Sequence, residues 1–278
     1  MPTDDARPLV NCIMLITWPK RRAMIQEAVA SFACQDHAPR TLTLVNDGEL
    51  CRLSAAFRAA FDARLVQLPH KTSVGDKRNA GVAAVPDADY SASFDDDDFS
   101  LPHRLSANLA AMRNAKACWL SASRKYVAIG TLDKIVGFEC GRCYGAGMVS
   151  KRVTDELKWP GLDWLEDQRL FEAVRAHADL GSGMVEGGEL AYVHRRHADN
   201  VSAPHRKDLW QGVMPLQLAG AEAVAAPESL WQILQAYAGV VFVEDLVHDC
   251  VFPAAVGAAA EEAVRSWQEI VRDEDVGL

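Results

Sequence analysis

The chain has 278 residues, enough for one substantial core or one core with a small appended subdomain. Hydrophobic residues make up 49% and charged residues 24%, a balance that excludes a disordered chain. With 29 basic against 38 acidic residues the formal charge is −9, which argues against a general nucleic-acid binder and leaves room only for a local basic patch.

Residues 1–10 are polar and acidic and lack the pattern of a signal peptide. No apolar run reaches the roughly 18 to 20 residues that span a bilayer, so the expected compartment is the cytoplasm. Residues 10–17 (VNCIMLIT) are almost continuously apolar, as in a strand buried on both faces. Trp18-Pro19-Lys20-Arg21 breaks that run, and 22–34 then has helical spacing through Met24, Ala28, Val29 and Phe32. Residues 41–45 (TLTLV) predict a second buried strand ending at Asn46-Asp47-Gly48. A helix over 50–61, a strand over 64–68 and a helix over 73–85 follow, the last with Ser73 as N-cap and Asp76 in its first turn. A short β-compatible run from Tyr90 to Phe94 then empties into Asp95-Asp96-Asp97-Asp98, and 101–114 reads as an amphipathic helix.

Strands alternating with helices predict an α/β fold, a mostly parallel sheet covered by helices on both faces. Ligands of such sheets lie beyond the carboxyl ends of the strands. Three polar clusters fall there: 17–21, 46–48 and 95–98. Four adjacent carboxylates repel one another, and at a strand end they imply a compensating cation. Mg²⁺ or Mn²⁺ typically shares one or two carboxylates with substrate phosphates. Alternate residues of an extended segment share a face, so Asp95 and Asp97 are expected together, with Asp96 and Asp98 elsewhere. The alternative is a solvated acidic turn in which Asp98 caps the next helix.

The alternation lapses in the second half. Residues 117–123 and 125–138 predict strands, the latter broken at Gly130 as in a hairpin. Gly145-Ala146-Gly147 suits close backbone approach. Residues 164–178 form a helix with Glu166 and Asp167 in its first turn, and 189–193 a short strand followed by His194-Arg195-Arg196-His197. From 207 onward the chain is Ala-rich and helical in pattern, punctuated by Pro215, Pro227 and Pro253. The expected organisation is thus 1–115, 116–206 and a helical C-terminal subdomain over 207–278 that serves packing, self-association or membrane-surface contact. The seven cysteines are scattered through apolar stretches as reduced core thiols, and the CxxC at Cys140 and Cys143 lacks a second pair at zinc spacing.

Taken in order, these segments resemble a family 2 glycosyltransferase of the GT-A (Rossmann-like) fold, over roughly 12–202. The resemblance rests on Thr17 to Arg21, Val45-Asn46-Asp47-Gly48, Gly75-Asp76-Lys77-Arg78-Asn79-Ala80-Gly81, Phe94 to Asp98 with Leu101-Pro102-His103-Arg104-Leu105 behind it, Glu166-Asp167, and His197 to Ser202. It implies inverting transfer of a sugar from a nucleotide-diphosphate donor, UDP-linked for preference, to a hydroxyl of a glycan or lipid-linked acceptor, as in polysaccharide biosynthesis. Residues 1–115 would bind the nucleotide sugar and 116–206 the acceptor. No nucleic-acid partner is implied. Contact with the inner face of a membrane, or a homo-oligomer, would run through the C-terminal helices.

The resemblance also implies roles. Asp95 contacts the donor ribose, and Asp97 ligates Mn²⁺ or Mg²⁺, with His197 completing the shell. Asp47 contacts the nucleoside, unless Asn-Asp-Gly merely turns the chain. Thr17 and Arg21 lie beside the base, with a solvated first-turn arginine as the alternative. Arg78 reaches the ribose or diphosphate, or pairs with a nearby aspartate. Asp167 is the base that takes the acceptor's proton, and Glu166 supports that base or contacts the acceptor, whereas first-turn acids also arise simply from the helix dipole. Arg195 and Arg196 bind diphosphate or belong to a solvated loop. Trp159, Trp164 and Tyr144 stack on sugar or pack. Two rival readings are a nucleotidyltransferase, for which the glycine- and lysine-rich phosphate loop is missing, and a non-catalytic nucleotide-binding scaffold.

Overall fold

The computed structural model describes residues 7–17, 20–53, 55–129, 134–181, 183–187 and 191–196. His197, the motif that follows it and the expected subdomain over 207–278 lie outside the described residues. In chain order the elements are β1 (Val10–Ile16), α1 (Arg22–Ala33), β2 (Arg40–Asn46), α2 (Ala55–Phe61), β3 (Ala63–Gln67), α3 (Val74–Ala83), β4 (Tyr90–Asp95), β5 (Phe99–Ser100), α4 (Arg104–Ala115), β6 (Trp119–Ile129), β7 (Lys134–Ser150), α5 (Lys151–Glu156), α6 (Glu166–Ala176), β8 (Met184–Gly187) and β9 (Tyr192–Arg196).

The strands form one sheet in the order β3-β2-β1-β4-β7-β6-β9-β5, with β8 also paired to β6. The first four run parallel, while β7 is antiparallel to both β4 and β6. Register places Ile16 beside Asn46 and Leu15 beside Asp95, so Thr17, Asp47 and the acidic run emerge at one edge. That is where a mostly parallel sheet presents ligands.

The continuous apolar strands are explained by burial on both faces. On one face Cys12, Met14, Leu42, Leu44 and Phe94 pack against Ile25 and Phe32 of α1, Phe57 of α2 and Leu105 and Leu109 of α4. On the other, Ile13 meets Gly81 of α3, where a Cβ would stand 2.5 Å from Ile13 Cγ2. Asn11 crosses that face, donating to the Gly81 carbonyl at 3.0 Å and accepting from Thr43 Oγ1 at 2.7 Å. Farther along, Trp119 and Val149 pack with Trp159, Leu170 and Phe171. Cys12, Cys34, Cys51 and Cys118 are buried thiols, as expected.

The second half differs from its sequence reading. Residues 119–129 form a single strand, β6, which pairs antiparallel with β7 from Lys134 onward. The two-residue strand β5, the short strand β8 and the one-and-a-half-turn helix α5 had no signal of sufficient length. The strand expected over 189–193 instead runs to Arg196, which carries His194 and Arg195 into the sheet. Helix α2 begins at Ala55 rather than Leu50. Asn46 Nδ2 holds the Glu49 carbonyl at 2.6 Å, and Gln67 Oε1 accepts from Asn46 Nδ2 at 2.9 Å and Cys51 N–H at 3.3 Å. These bonds hold the intervening segment, which bends at Gly48 and Glu49, out of the helix.

Candidate active site

Asp47, just past β2, accepts from the Thr72 N–H at 3.0 Å and lies 3.3 Å from Lys77 Nζ and 3.5 Å from Lys71 Nζ. Burial opposes its ionisation, but these donors together hold its carboxyl below the usual aspartate value. Lys77 is itself buried, which lowers its pKa despite the Asp47 charge. Helix α3 supplies Lys77 because Ser73 caps it as expected, its Oγ accepting from the Asp76 N–H at 3.2 Å.

The acidic run divides differently from the alternation expected of it. Strand β4 stops at Asp95, and residues 96–97 turn the chain, with the Asp98 N–H reaching the Asp95 carbonyl at 3.4 Å. Strand alternation therefore does not extend past Asp95. Asp96 and Asp97 instead share Arg21 Nη1, at 2.7 and 2.8 Å, and Asp96 also accepts from the Thr17 N–H at 2.9 Å. Burial and the Asp97 charge push Asp96 up to about 6, against the pull of Arg21. Thr17 and Arg21 thus support the acidic turn through these bonds. Asp98 is not a helix cap. It is buried against the Tyr192 hydroxyl, His194 Nδ1 at 3.1 Å and the Arg195 N–H at 2.7 Å. Burial would raise its pKa, yet those partners bring it below the usual value.

Asp95 is the most open of the four carboxylates whose surroundings are described, with 28% of its side chain accessible. It faces Arg78 Nη2 at 3.6 Å and the Tyr192 hydroxyl at 3.3 Å. Enclosure of its carboxyl, reinforced by Asp98, Asp97 and Asp167 and opposed by Arg78, pushes it up to about 7. Gly145 of β7 lies directly behind, where a Cβ would come within 2.8 Å of Tyr192 Oη and 2.9 Å of Asp95 Oδ2. Close backbone approach is therefore required here. Beneath β4, the fully buried Arg104 donates to Ser100 Oγ at 2.7 Å and the Ser93 carbonyl at 2.6 Å, and lies 4.5 Å from the Phe94 ring and 5.3 Å from the Tyr192 ring. It fixes the strand end and the tyrosine together.

Arg78 joins the two halves of the site. Its Nε lies 3.4 Å from Glu166 Oε1, its Nη1 3.0 Å from Ser93 Oγ and its Nη2 3.2 Å from Asp167 Oδ2, besides the Asp95 contact. Burial disfavours the guanidinium charge, but Asp167, Asp95 and Glu166 outweigh it and raise its pKa. Glu166 is buried, and that burial plus Asp167 pushes it up to about 6. Both acids begin α6, as expected, after Leu165 adopts a left-handed turn with φ 66°. Asp167 Oδ1 takes a 2.7 Å hydrogen bond from Trp159 Nε1. Arg78, Ser93, Trp159 and Asp167 line one small pocket against Trp119 and Gly147.

The fold thus brings Asp95, Arg78, Glu166 and Asp167 together, places Asp47 at the outer end and puts Arg21 on Asp97. Lys77, Trp159, Tyr192 and His194 were not anticipated in these places. Tyr192 and His194 are two apart on one strand face, a signal hidden because the strand was taken to end at 193. Among the described residues no cluster of three or more His, Cys, Asp or Glu side chains is arranged to enclose a metal by itself. Hard oxygen donors at a strand end nonetheless fit Mg²⁺ or Mn²⁺, which use one or two carboxylates and complete their shells with phosphate and water.

No family model matches the sequence, and no curated protein matches it. Solved structures match its fold. TarS 1-349 of S. aureus in complex with UDP-GlcNAc aligns with a TM-score of 0.55 at 15% identity, covering 82% of this chain and 70% of that one. The same fragment with UDP gives 0.51 at 14%, covering 95% and 91%. The mannosyltransferase PcManGT from Pyrobaculum calidifontis, in complex with GDP-Man and Mn²⁺, gives 0.50 at 13%, covering 99% and 77%. The chain therefore has the GT-A glycosyltransferase fold that its motifs implied.

Proposed function

We propose that this chain is a metal-dependent, inverting glycosyltransferase of the family 2 type, moving a sugar from a nucleotide-diphosphate donor, with UDP as the nucleotide, to an acceptor hydroxyl. The observation that carries the reading is the single guanidinium of Arg78, set between the strand-end carboxylate Asp95 and the helix-start carboxylates Glu166 and Asp167. Donor-side and acceptor-side groups are held in one cluster by one cation. The fold shared with proteins whose structures hold UDP-GlcNAc, UDP and GDP-Man supports the same reading.

In this reading Asp47 and Lys77 bind the base, Asp95 the ribose, and Arg78 orients the diphosphate side. Asp97, joined by His197, would hold the Mn²⁺ or Mg²⁺ ion. That ion, when bound, supplies Lewis-acid stabilisation of the negative charge on the departing diphosphate. Asp97 binds Arg21 through Oδ2, so a metal held by Asp97 would have to share that carboxylate with Arg21. Asp167 takes the proton of the attacking acceptor hydroxyl. One hydrogen bond to each of its oxygens leaves lone pairs for that proton. Glu166, more enclosed, anchors Arg78 and borders the acceptor. A glycan or lipid-linked acceptor is the expected partner. No described helix is long and apolar enough to cross a membrane. Peripheral membrane contact or self-association through 207–278 is part of the proposal.

Asp97→Ala tests the metal assignment. Metal-stimulated release of nucleoside diphosphate should vanish while circular dichroism stays unchanged. Full activity in that variant, or in excess chelator, would remove the metal from the account.

A further inference from the structure

Asp167 is held from two sides by two different elements. Arg78 of α3 takes Oδ2 and the indole N–H of Trp159 takes Oδ1, at 3.2 and 2.7 Å. Trp159 is buried and packs in the apolar cluster with Trp119, Leu170 and Phe171. A buried indole needs an acceptor for its N–H, and here the acceptor is the carboxylate oxygen that faces away from Arg78. The backbone of Trp159 is fixed in turn by one side chain. Asn79 Nδ2 donates to the Trp159 carbonyl at 2.8 Å, and the Trp159 N–H donates back to Asn79 Oδ1 at 3.0 Å. The segment that follows docks on the start of the same helix. The Gly75 N–H reaches the Leu162 carbonyl at 3.0 Å, and the Val74 N–H reaches Asp163 Oδ1 at 3.2 Å. Gly75 permits this approach, since a Cβ there would fall 1.8 Å from the Pro160 oxygen.

We infer that Trp159 is a positioning residue for Asp167, and that Asn79 sets the position of Trp159. This rests on the reading of Asp167 as the base. Helix α3 then governs both oxygens of one carboxylate: directly through Arg78, and indirectly from Asn79 through Trp159. With two donors from different directions the carboxylate cannot turn about its χ2. With Arg78 alone it pivots on that contact. The hydrogen bonds of Trp159 go to Asp167 and Asn79, not to Asp47 or the acidic turn, so its effect should fall on the chemical step and not on donor binding.

The test uses the full chain with UDP-sugars and Mn²⁺, reading nucleoside diphosphate release, together with UDP affinity by calorimetry. Trp159→Phe keeps a ring and removes the N–H. Its kcat should fall roughly ten- to a hundredfold, the scale of a misplaced reacting group, while UDP binding stays within about twofold. Asn79→Ala should show the same split to a smaller degree. Leu180→Val, in the same apolar cluster but beyond the end of α6, controls for lost packing and should retain turnover despite a lower melting temperature. In an Asp167→Asn background, Trp159→Phe should cost nothing further, because its effect runs through Asp167. Undiminished kcat in Trp159→Phe, or an equal loss in that background, overturns the inference. Wild-type turnover in Asp167→Asn itself instead refutes the base assignment. If the wild type turns over no UDP-sugar, the indole N–H resonance of Trp159 decides. Asp167→Ala should shift it and speed its solvent exchange, and an unmoved resonance overturns the inference.

Discussion

Replacing Arg78 with methionine should be strongly damaging to both stability and turnover. Methionine keeps the length and apolar stem of the side chain but removes the cation. The guanidinium is 6% exposed and serves Asp95, Glu166, Asp167 and Ser93 at 3.6, 3.4, 3.2 and 3.0 Å. Without it, three enclosed carboxylates face one another with no counter-charge. Removing one partner of a buried ion pair costs about 3 to 5 kcal/mol. In a domain of roughly 150 to 250 residues each kcal/mol moves the melting temperature by about 2 to 4 °C, so the expected drop is about 6 to 20 °C. The loss should depend on pH. Asp95 and Glu166 already stand near 7 and 6 with Arg78 present, and removing it raises them further. At pH 5.5 they take up protons, the repulsion eases, and part of the loss returns. Differential scanning calorimetry of both proteins at pH 5.5 and 8.0 reads this directly. A variant melting within 2 °C of the parent at both pH values would refute the reasoning.

Gly145→Ala places a methyl group against the Tyr192 hydroxyl and the Asp95 carboxylate. Overpacking of this kind costs about 1 to 3 kcal/mol of stability, and relieving it displaces the Asp95 carboxylate, so donor affinity measured by calorimetry should fall; unchanged affinity would mean that Asp95 does not meet the donor. The wild type should also show a distinctive pH response. Asp95 and Glu166 have folded values raised by burial, so their contribution to stability is fully present below about pH 4 and is lost as pH rises through about 6 to 7. Without added metal or nucleotide the melting temperature should therefore fall between pH 5.5 and 8, and Mn²⁺ with UDP should raise it more at pH 8 than at pH 5.5. A protein that instead gains stability across that interval would contradict the enclosed-carboxylate picture.

Much of the first half was legible because its strands are buried on both faces. Uninterrupted runs such as VNCIMLI leave little choice of element, and Ser73 announces the start of α3. The placement of Asp47 and Asp95 at one edge of the sheet followed from strand-end logic, and the approach of Asp167 to Asp95 through Arg78 from motif order. The partners of the acids were harder to read. The expected pairing of Asp95 with Asp97 assumed an extended chain, whereas the strand stops at Asp95 and the turn hands Asp97 to Arg21. Arg78 holds Glu166 and Asp167 across 88 and 89 residues, and no local spacing encodes such a contact. Trp159 looked like a stacking or packing residue because an indole's ring dominates its composition signal. Its N–H partner depends on where α6 begins in space. Tyr192 and His194 were obscured by a strand boundary two or three residues off, the usual place for such an error.

The most direct test of the account identifies the products released from a UDP-sugar with Mn²⁺, followed by phosphorus and proton magnetic resonance. The account predicts UDP and a transferred or hydrolysed sugar with inverted anomeric configuration, lost in Asp167→Asn while UDP still binds. Release of pyrophosphate, retention at the anomeric carbon, or UDP binding with no turnover across a broad range of acceptors would contradict it.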